Sequence, residues 1–313
     1  MRILISDKMS NKVEDVLKSK QIDYDIKTGM SPEELKEVID QYDGILIRSA
    51  TKLTSDILAD CKNLKVIGRA GVGVDNVDLD QATKNKILVM NTPLGNLEAT
   101  AELSVGLMFS LMRNIHLANE STHQGKWEKP KFIGTELKGK TLGIVGYGNI
   151  GQRVAEICST IGMNIITNSK SASDEDLSRY KAKKVSTEQL IKEADIISIH
   201  TKLNDETKYM FNKETLSIMK PTSVIINCAR GGLINEVDLK DALNNEVIAG
   251  AAIDVYENEP ATDNVMFGTK NLLLTPHLGA SSKEAQSNVA IDVANQVADF
   301  LKDNKIVNNV NSF

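Results

Sequence analysis

Short runs of β-branched and aliphatic residues alternate with amphipathic stretches along almost the whole chain, and that rhythm restricts the fold to parallel sheet covered by helices on both faces. Strands are expected at residues 3–6, 22–26, 44–47, 65–68 and 87–91, and a second series at 141–146, 164–167, 196–200, 223–228, 248–254 and 272–275. Two series imply two sheets, and 313 residues with 41% hydrophobic content are enough for two cores. The expected class is therefore α/β, with two doubly wound parallel-sheet domains. Ser31-Pro32-Glu33-Glu34 opens one helix, with Ser at the cap and Pro where a missing N–H costs nothing. Between the series, Leu103, Leu107, Leu111 and Ile115 recur every four residues beside Met108 and Met112, so residues 101–120 read as one long helix with a wide apolar face.

Charge narrows the partners. A formal net charge of −5 and a pI near 5.6 disfavour a nucleic-acid or anionic-membrane surface, which would need clustered Lys and Arg. A small anionic substrate held by a few local arginines stays compatible. Cys61, Cys158 and Cys228 are far apart and form no CxxC pair, so a reduced, cytoplasmic protein without a metal site is expected. The opening MRILISD reads as a first strand rather than a leader, and no run of about 18 apolar residues marks a membrane span.

The second series begins with a glycine pattern. Gly146-x-Gly148-x-x-Gly151 follows an apolar run and precedes a helical one. Gly146 permits a tight turn, Gly148 lets the backbone approach a pyrophosphate, and Gly151 lets the helix pack on the strand, aiming its first amides at the phosphates. The carboxylate that usually holds the adenosine ribose belongs about 20 residues further on. Ser169 stands there instead, followed by Lys170, so the electrostatics admit NADP as well as NAD.

Three residues just beyond strand ends carry reactive side chains. Arg230, in Asn227-Cys228-Ala229-Arg230-Gly231-Gly232, offers a guanidinium fork for a substrate carboxylate. His277, in Thr275-Pro276-His277-Leu278-Gly279-Ala280, is the candidate acid/base, because hydride transfer at a carbonyl carbon requires a proton at its oxygen. Glu259, in Asp254-Val255-Tyr256-Glu257-Asn258-Glu259-Pro260, suits the second imidazole nitrogen.

Those segments, in that order and spacing, resemble the D-isomer-specific 2-hydroxyacid dehydrogenases over essentially the whole chain. The resemblance implies Arg230, Glu259 and His277 as the catalytic trio. It also implies a cofactor site lined by Thr100, Asn149, Ile150, His200, Thr201, Cys228, Ala229, Asp254 and Gly279, besides the glycine turn, Ser169 and Lys170. It implies a Rossmann dinucleotide-binding domain at 94–282, a flavodoxin-like substrate domain from 1–93 and 283–313, and a homodimer.

Within that family, Arg48-Ser49-Ala50-Thr51, Gly68-Arg69-Ala70-Gly71-Val72-Gly73 and Asn91-Thr92-Pro93 look like phosphoglycerate dehydrogenases of serine biosynthesis. The likeness implies 3-phosphoglycerate/3-phosphohydroxypyruvate as substrate. The amides of Val72 and Gly73 would then hold its carboxylate, and Arg48 and Arg69 its phosphate. Lys129 and Lys131 match a segment that in the family crosses to the partner subunit. The chain departs from the pattern at Ser169 and at Lys202, where relatives often carry proline, and it stops where longer members continue into a regulatory domain. Two other readings stand beside this one: an NADPH-dependent glyoxylate or hydroxypyruvate reductase, and a non-catalytic nucleotide sensor of the corepressor kind.

Overall fold

The computed structural model describes residues 1–313 and divides them into two compact units, Met1–Leu97 with Ala280–Phe313, and Glu98–Gly279. In the first, β1 (Arg2–Ile5), β2 (Asp23–Ile26), β3 (Gly44–Ile47), β4 (Val66–Arg69) and β5 (Leu88–Asn91) form a parallel sheet in the order β2-β1-β3-β4-β5. That order is the flavodoxin-like one. Alternate residues feed opposite faces: Ile3, Ile5 and Leu46 join one core, while Leu4, Ile45 and Ile47 join the other.

The helix Lys283–Asp303 covers the first of these faces with Val289, Val293 and Val297, all nearly or wholly buried. It comes so close to β4 that a Cβ at Gly68 would lie 2.5 Å from Val297 and 2.7 Å from Val293. Burying each such valine contributes about 1.5–3 kcal/mol, which is why this late segment belongs with the first sheet. The helix Pro32–Val38 has the expected cap, Ser31 accepting from the Glu34 amide while Glu34 reaches back to the Ser31 amide.

The second unit holds β6 (Thr141–Val145), β7 (Asn164–Thr167), β8 (Lys183–Lys184), β9 (Ile196–Ile199), β10 (Val224–Asn227), β11 (Gly250–Ile253) and β12 (Leu272–Leu274). They are all parallel, in the order β12-β11-β10-β9-β6-β7-β8. The direction of winding reverses between β6 and β9, the crevice where open α/β sheets bind ligands. Both sheets are thus parallel and doubly wound, as the alternation of runs indicates.

One expectation fails. Residues 101–120 are not a single helix: Leu97–Met112 and Ile115–His123 are separate, joined through Asn114 at φ 55°. The Met112 carbonyl accepts from the Thr135 amide at 2.7 Å instead of continuing the helical ladder, and Asn tolerates the left-handed turn better than most residues. Ile115 consequently leaves the apolar face and is 53% exposed. The two-residue strand β8 has no apolar signature and was not expected. No helix is long and apolar enough to cross a membrane.

Candidate active site

In the second unit the reactive residues gather on loops that leave the C-terminal ends of parallel strands. After β6, Gly146 turns at φ 90°, and a Cβ there would lie 2.5 Å from the His200 carbonyl oxygen, which only glycine permits. At Gly151 a Cβ would meet the Gly146 oxygen at 2.2 Å and Ile144 at 3.3 Å, so this glycine seats the helix Asn149–Thr160 on its strand. Gly148 differs: a Cβ there meets nothing within 4 Å, and as the residue before the helix it brings no side-chain cap. The amides of Asn149, Ile150 and Gly151 occupy the first turn, where a helix leaves N–H groups without intrahelical partners. Open space over uncapped amides fits a pyrophosphate.

Around this turn, the hydroxyl of buried Thr100 donates to the Gly279 carbonyl at 2.9 Å. His200 places Nε2 2.8 Å from the Ser198 hydroxyl, and burial pushes its pKa down to about 4, which keeps the ring neutral. Thr201 follows it, partly buried. Burial likewise pushes the Cys228 thiol up to about 12, so it stays protonated beside Ser104. At the end of β7, Ser169 is buried, its hydroxyl 3.4 Å from that of Ser171. Lys170 extends into solvent with 92% of its side chain exposed and pairs with Glu206 at 3.6 Å.

Asp254, at the end of β11, is wholly buried and does more than the sequence indicates. Its Oδ1 accepts from the Leu278 amide at 2.7 Å and the Thr275 hydroxyl at 2.5 Å, and its Oδ2 from the Gly279 amide at 2.9 Å. A buried carboxylate is tolerable when its lone pairs are filled in this way. These bonds bracket His277, whose backbone is left-handed at φ 55°, a conformation that persists only where its surroundings over-determine it.

From that loop Nδ1 of His277 lies 2.6 Å from Oε2 of Glu259, with 49% of the imidazole side chain exposed. Burial alone would raise the Glu259 carboxyl. The His277 ring, the Tyr256 amide and the charges of His277 and Arg230 outweigh it and hold the carboxyl below its ordinary value. Oε1 of Glu259 accepts from the Tyr256 amide at 3.0 Å, and the Tyr256 hydroxyl donates to the Thr275 carbonyl at 3.0 Å, tying the two loops together.

Arg230 sits on the loop after β10. Asn227, 2% exposed, shapes that loop by donating to the Arg230 carbonyl at 2.8 Å and accepting from the Ala229 amide at 3.0 Å. The guanidinium donates to the Ala229 carbonyl at 2.6 Å. Gly231 is glycine for a reason the sequence does not reveal: a Cβ there would lie 1.9 Å from the Tyr256 carbonyl oxygen. The arginine loop and the Tyr256–Glu259 loop therefore meet backbone to backbone.

The candidates for holding the substrate's carboxylate and phosphate, Arg48, Arg69, Val72 and Gly73, lie in the first unit. Arg69 folds its guanidinium back over Gly71, where a Cβ would sit 1.6 Å from the arginine nitrogen, and Gly71 adopts φ 139°. Val72 and Gly73 follow in a turn that two neighbours fix. Asn91 donates to the Val72 carbonyl at 2.6 Å, and Thr92 accepts from the Gly71 amide at 2.6 Å. Arg48 leaves the end of β3 and donates to the Lys8 carbonyl at 3.2 Å. Sequence reasoning passed over Asp7, Asn76 and the linking role of Asp254, because each acts through partners distant in the chain, and it passed over Ser198, which meets His200 only two positions away but sits inside an apolar strand.

Comparison with known proteins places the chain in a family. Residues 105–279 match the family model described as "D-isomer specific 2-hydroxyacid dehydrogenase, NAD binding domain". Over 300 residues the chain is 44% identical to the D-3-phosphoglycerate dehydrogenase of Synechocystis, covering 96% of this chain and 54% of that protein. It spans a little over half the length of the curated relatives that it matches. Among solved structures, a glyoxylate reductase from Paecilomyes thermophila superposes with a TM-score of 0.90 at 29% identity, over 99% of this chain and 97% of that one. The NAD+-bound 3-phosphoglycerate dehydrogenase of Entamoeba histolytica superposes with a TM-score of 0.84 at 29% identity, over 100% and 99%. With the family model covering the unit that bears Arg230, Glu259 and His277, the chain belongs to the D-isomer specific 2-hydroxyacid dehydrogenase family.

Proposed function

We propose that the chain is a nicotinamide-dependent dehydrogenase that interconverts 3-phosphoglycerate and 3-phosphohydroxypyruvate. The 2.6 Å contact between His277 and Glu259 carries the reading. Glu259 holds Nδ1, which leaves Nε2 to take the proton of the substrate hydroxyl when the alcohol is oxidised and to return one to the oxygen in the reverse direction. Arg230 orients the carboxylate of the reacting acid. A bound nicotinamide nucleotide supplies or takes up the hydride at the adjacent carbon. The second unit is then the nucleotide-binding domain, with its pyrophosphate on the amides of Asn149, Ile150 and Gly151.

The first unit supplies the substrate domain. Amides of Val72 and Gly73 take the carboxylate, and Arg48 and Arg69 the phosphate. Relatives named as phosphoglycerate dehydrogenases at 38–44% identity support this choice.

NAD is the preferred nucleotide. The family description names it, and Glu206 beside Lys170 opposes a second phosphate at that strand end. The missing carboxylate at Ser169 favours a second reading, an NADPH-dependent glyoxylate or hydroxypyruvate reductase. The protein works in the cytoplasm as a homodimer. Trp127, 86% exposed, and Ile133, 82% exposed, flank Lys129 and Lys131 in the segment that another subunit would cover, with Lys131 paired to Glu128 at 2.6 Å.

Steady-state rates with 3-phosphohydroxypyruvate and glyoxylate, each with NADH and NADPH, test the proposal. The expected result is preference for the phosphorylated acid with NADH, and a rise in its KM in Arg48→Ala and Arg69→Ala. Preference for glyoxylate with NADPH supports the second reading. Nucleotide binding without turnover on any keto acid points to a sensor.

A further inference from the structure

Arg48 stands in a turn that is fixed from both sides. Asp7, 6% exposed, lies just beyond β1, and its carboxylate accepts from the Arg48 amide at 2.6 Å, the Thr51 amide at 3.1 Å and the Thr51 hydroxyl at 2.8 Å. The Ser6 hydroxyl lies 2.9 Å from the same Thr51 oxygen. From the other side the Asn76 side-chain amide donates to the carbonyls of Arg48, at 2.7 Å, and Thr51, at 2.6 Å. Both backbone polar groups of Arg48 are thus held by side chains 41 and 28 positions away, and Thr51 closes the turn.

The charge of Asp7 meets only backbone amides and a hydroxyl. It does not pair with the Arg48 guanidinium, which instead donates to the uncharged Lys8 carbonyl. A buried carboxylate that ordered the turn by pairing with the guanidinium would cancel the charge presented to a ligand. This one orders the turn and leaves that charge in place. Preorganising a charged donor in this way removes the entropy of ordering a long side chain from the binding step.

We propose that Asp7 and Asn76 are positioning residues for Arg48, locking its turn so that the guanidinium meets the phosphate end of the substrate and sets the preference for a phosphorylated over an unphosphorylated 2-keto acid. This rests on the substrate reading given under the proposed function.

The test compares kcat and KM for 3-phosphohydroxypyruvate and glyoxylate in Asp7→Asn, Asn76→Ala, Thr51→Val and Arg48→Ala. In the positioning variants KM for the phosphorylated acid is expected to rise roughly 10- to 100-fold with kcat little changed, since small misplacements of a binding group have effects of that size. The ratio of kcat/KM between the two acids falls accordingly, whereas Thr51→Ser, which keeps the hydroxyl, retains it. A merely structural role lowers both acids in parallel and leaves the ratio unchanged, which overturns the proposal.

Thr51→Val removes a single hydroxyl and keeps the test available if Asp7→Asn does not fold. In the double variant Arg48→Ala with Asp7→Asn, KM is expected to match that of Arg48→Ala alone, and additive effects contradict the proposal. If Arg48→Ala by itself leaves the phosphorylated acid unaffected, the substrate reading fails and the proposal with it. If Arg48→Ala raises KM but the other variants do not, only the positioning role fails.

Discussion

Nδ1 of His277 lies 2.6 Å from Oε2 of Glu259, and the other oxygen of that carboxylate is taken by the Tyr256 amide. The imidazole therefore has one nitrogen committed to the protein and one directed elsewhere, on a side chain that is about half exposed. An acid/base group needs this division, because a ring held at one nitrogen presents the other in a fixed orientation.

Glu259 has a carboxyl that the His277 ring and the Tyr256 amide hold below its ordinary value, despite the opposing effect of burial. A carboxyl lowered in the folded state contributes stability above its unfolded value and loses it as pH falls through the folded one. The melting temperature of Glu259→Gln is thus expected to lie below wild type at pH 7 and to converge with it in strong acid. At neutral pH, kcat of the variant is expected to fall about 10²-fold or more, in line with losses of this kind of orienting carboxylate. A constant melting offset from pH 7 to strong acid would contradict the assignment.

Asp254 anchors the loop that carries His277. Asp254→Ala strips the acceptors from two amides and a hydroxyl, each deletion of a buried partner costing about 1–3 kcal/mol. Denaturant unfolding should show a loss of about 3 kcal/mol or more, with kcat falling in parallel because the left-handed turn at His277 is released. Unchanged stability would mean that the loop is held by other contacts.

The two glycines of the helix-opening turn separate packing from ligand approach. A Cβ at Gly151 would meet the Gly146 oxygen at 2.2 Å, whereas at Gly148 it meets nothing. Gly151→Ala is expected to lower stability by about 1–3 kcal/mol through overpacking. Gly148→Ala should melt like wild type yet bind NADH more weakly, as read by nucleotide fluorescence. Equal nucleotide affinity in Gly148→Ala would remove the pyrophosphate from this turn.

Much of this was legible in the sequence, for reasons that differ along the chain. The strand Gly44–Ile47 follows from local patterning, since an apolar run between turns has few alternatives. Arg230, Glu259 and His277 are candidates in the sequence because each follows an expected strand, and the structure brings His277 and Glu259 into contact. The break at Asn114 was not legible, because it depends on the Thr135 amide claiming the Met112 carbonyl. Asp7 escaped for the same reason. Its partners at 48 and 51 are reached only once β1 and β3 pair.

His200 gives a second pH signature. Burial lowers its pKa from 6.5 to about 4, so the unfolded chain binds its proton first as pH falls. Its contribution is fully present above pH 6.5 and is lost progressively between 6.5 and about 4. Over that window the wild-type melting temperature is expected to fall more steeply than that of His200→Gln, which keeps a partner for Ser198. Parallel curves would show that the ring is not protected from protonation.

The most direct measurement follows the hydride itself. With NADH carrying deuterium at the transferred position of C4, wild-type protein is expected to move the label to C2 of the hydroxy acid formed from 3-phosphohydroxypyruvate. His277→Asn should bind the same nucleotide while transferring label about 10²–10⁴ times more slowly. Label that stays on the nucleotide in the wild type, or equal transfer rates in the two proteins, would contradict the account.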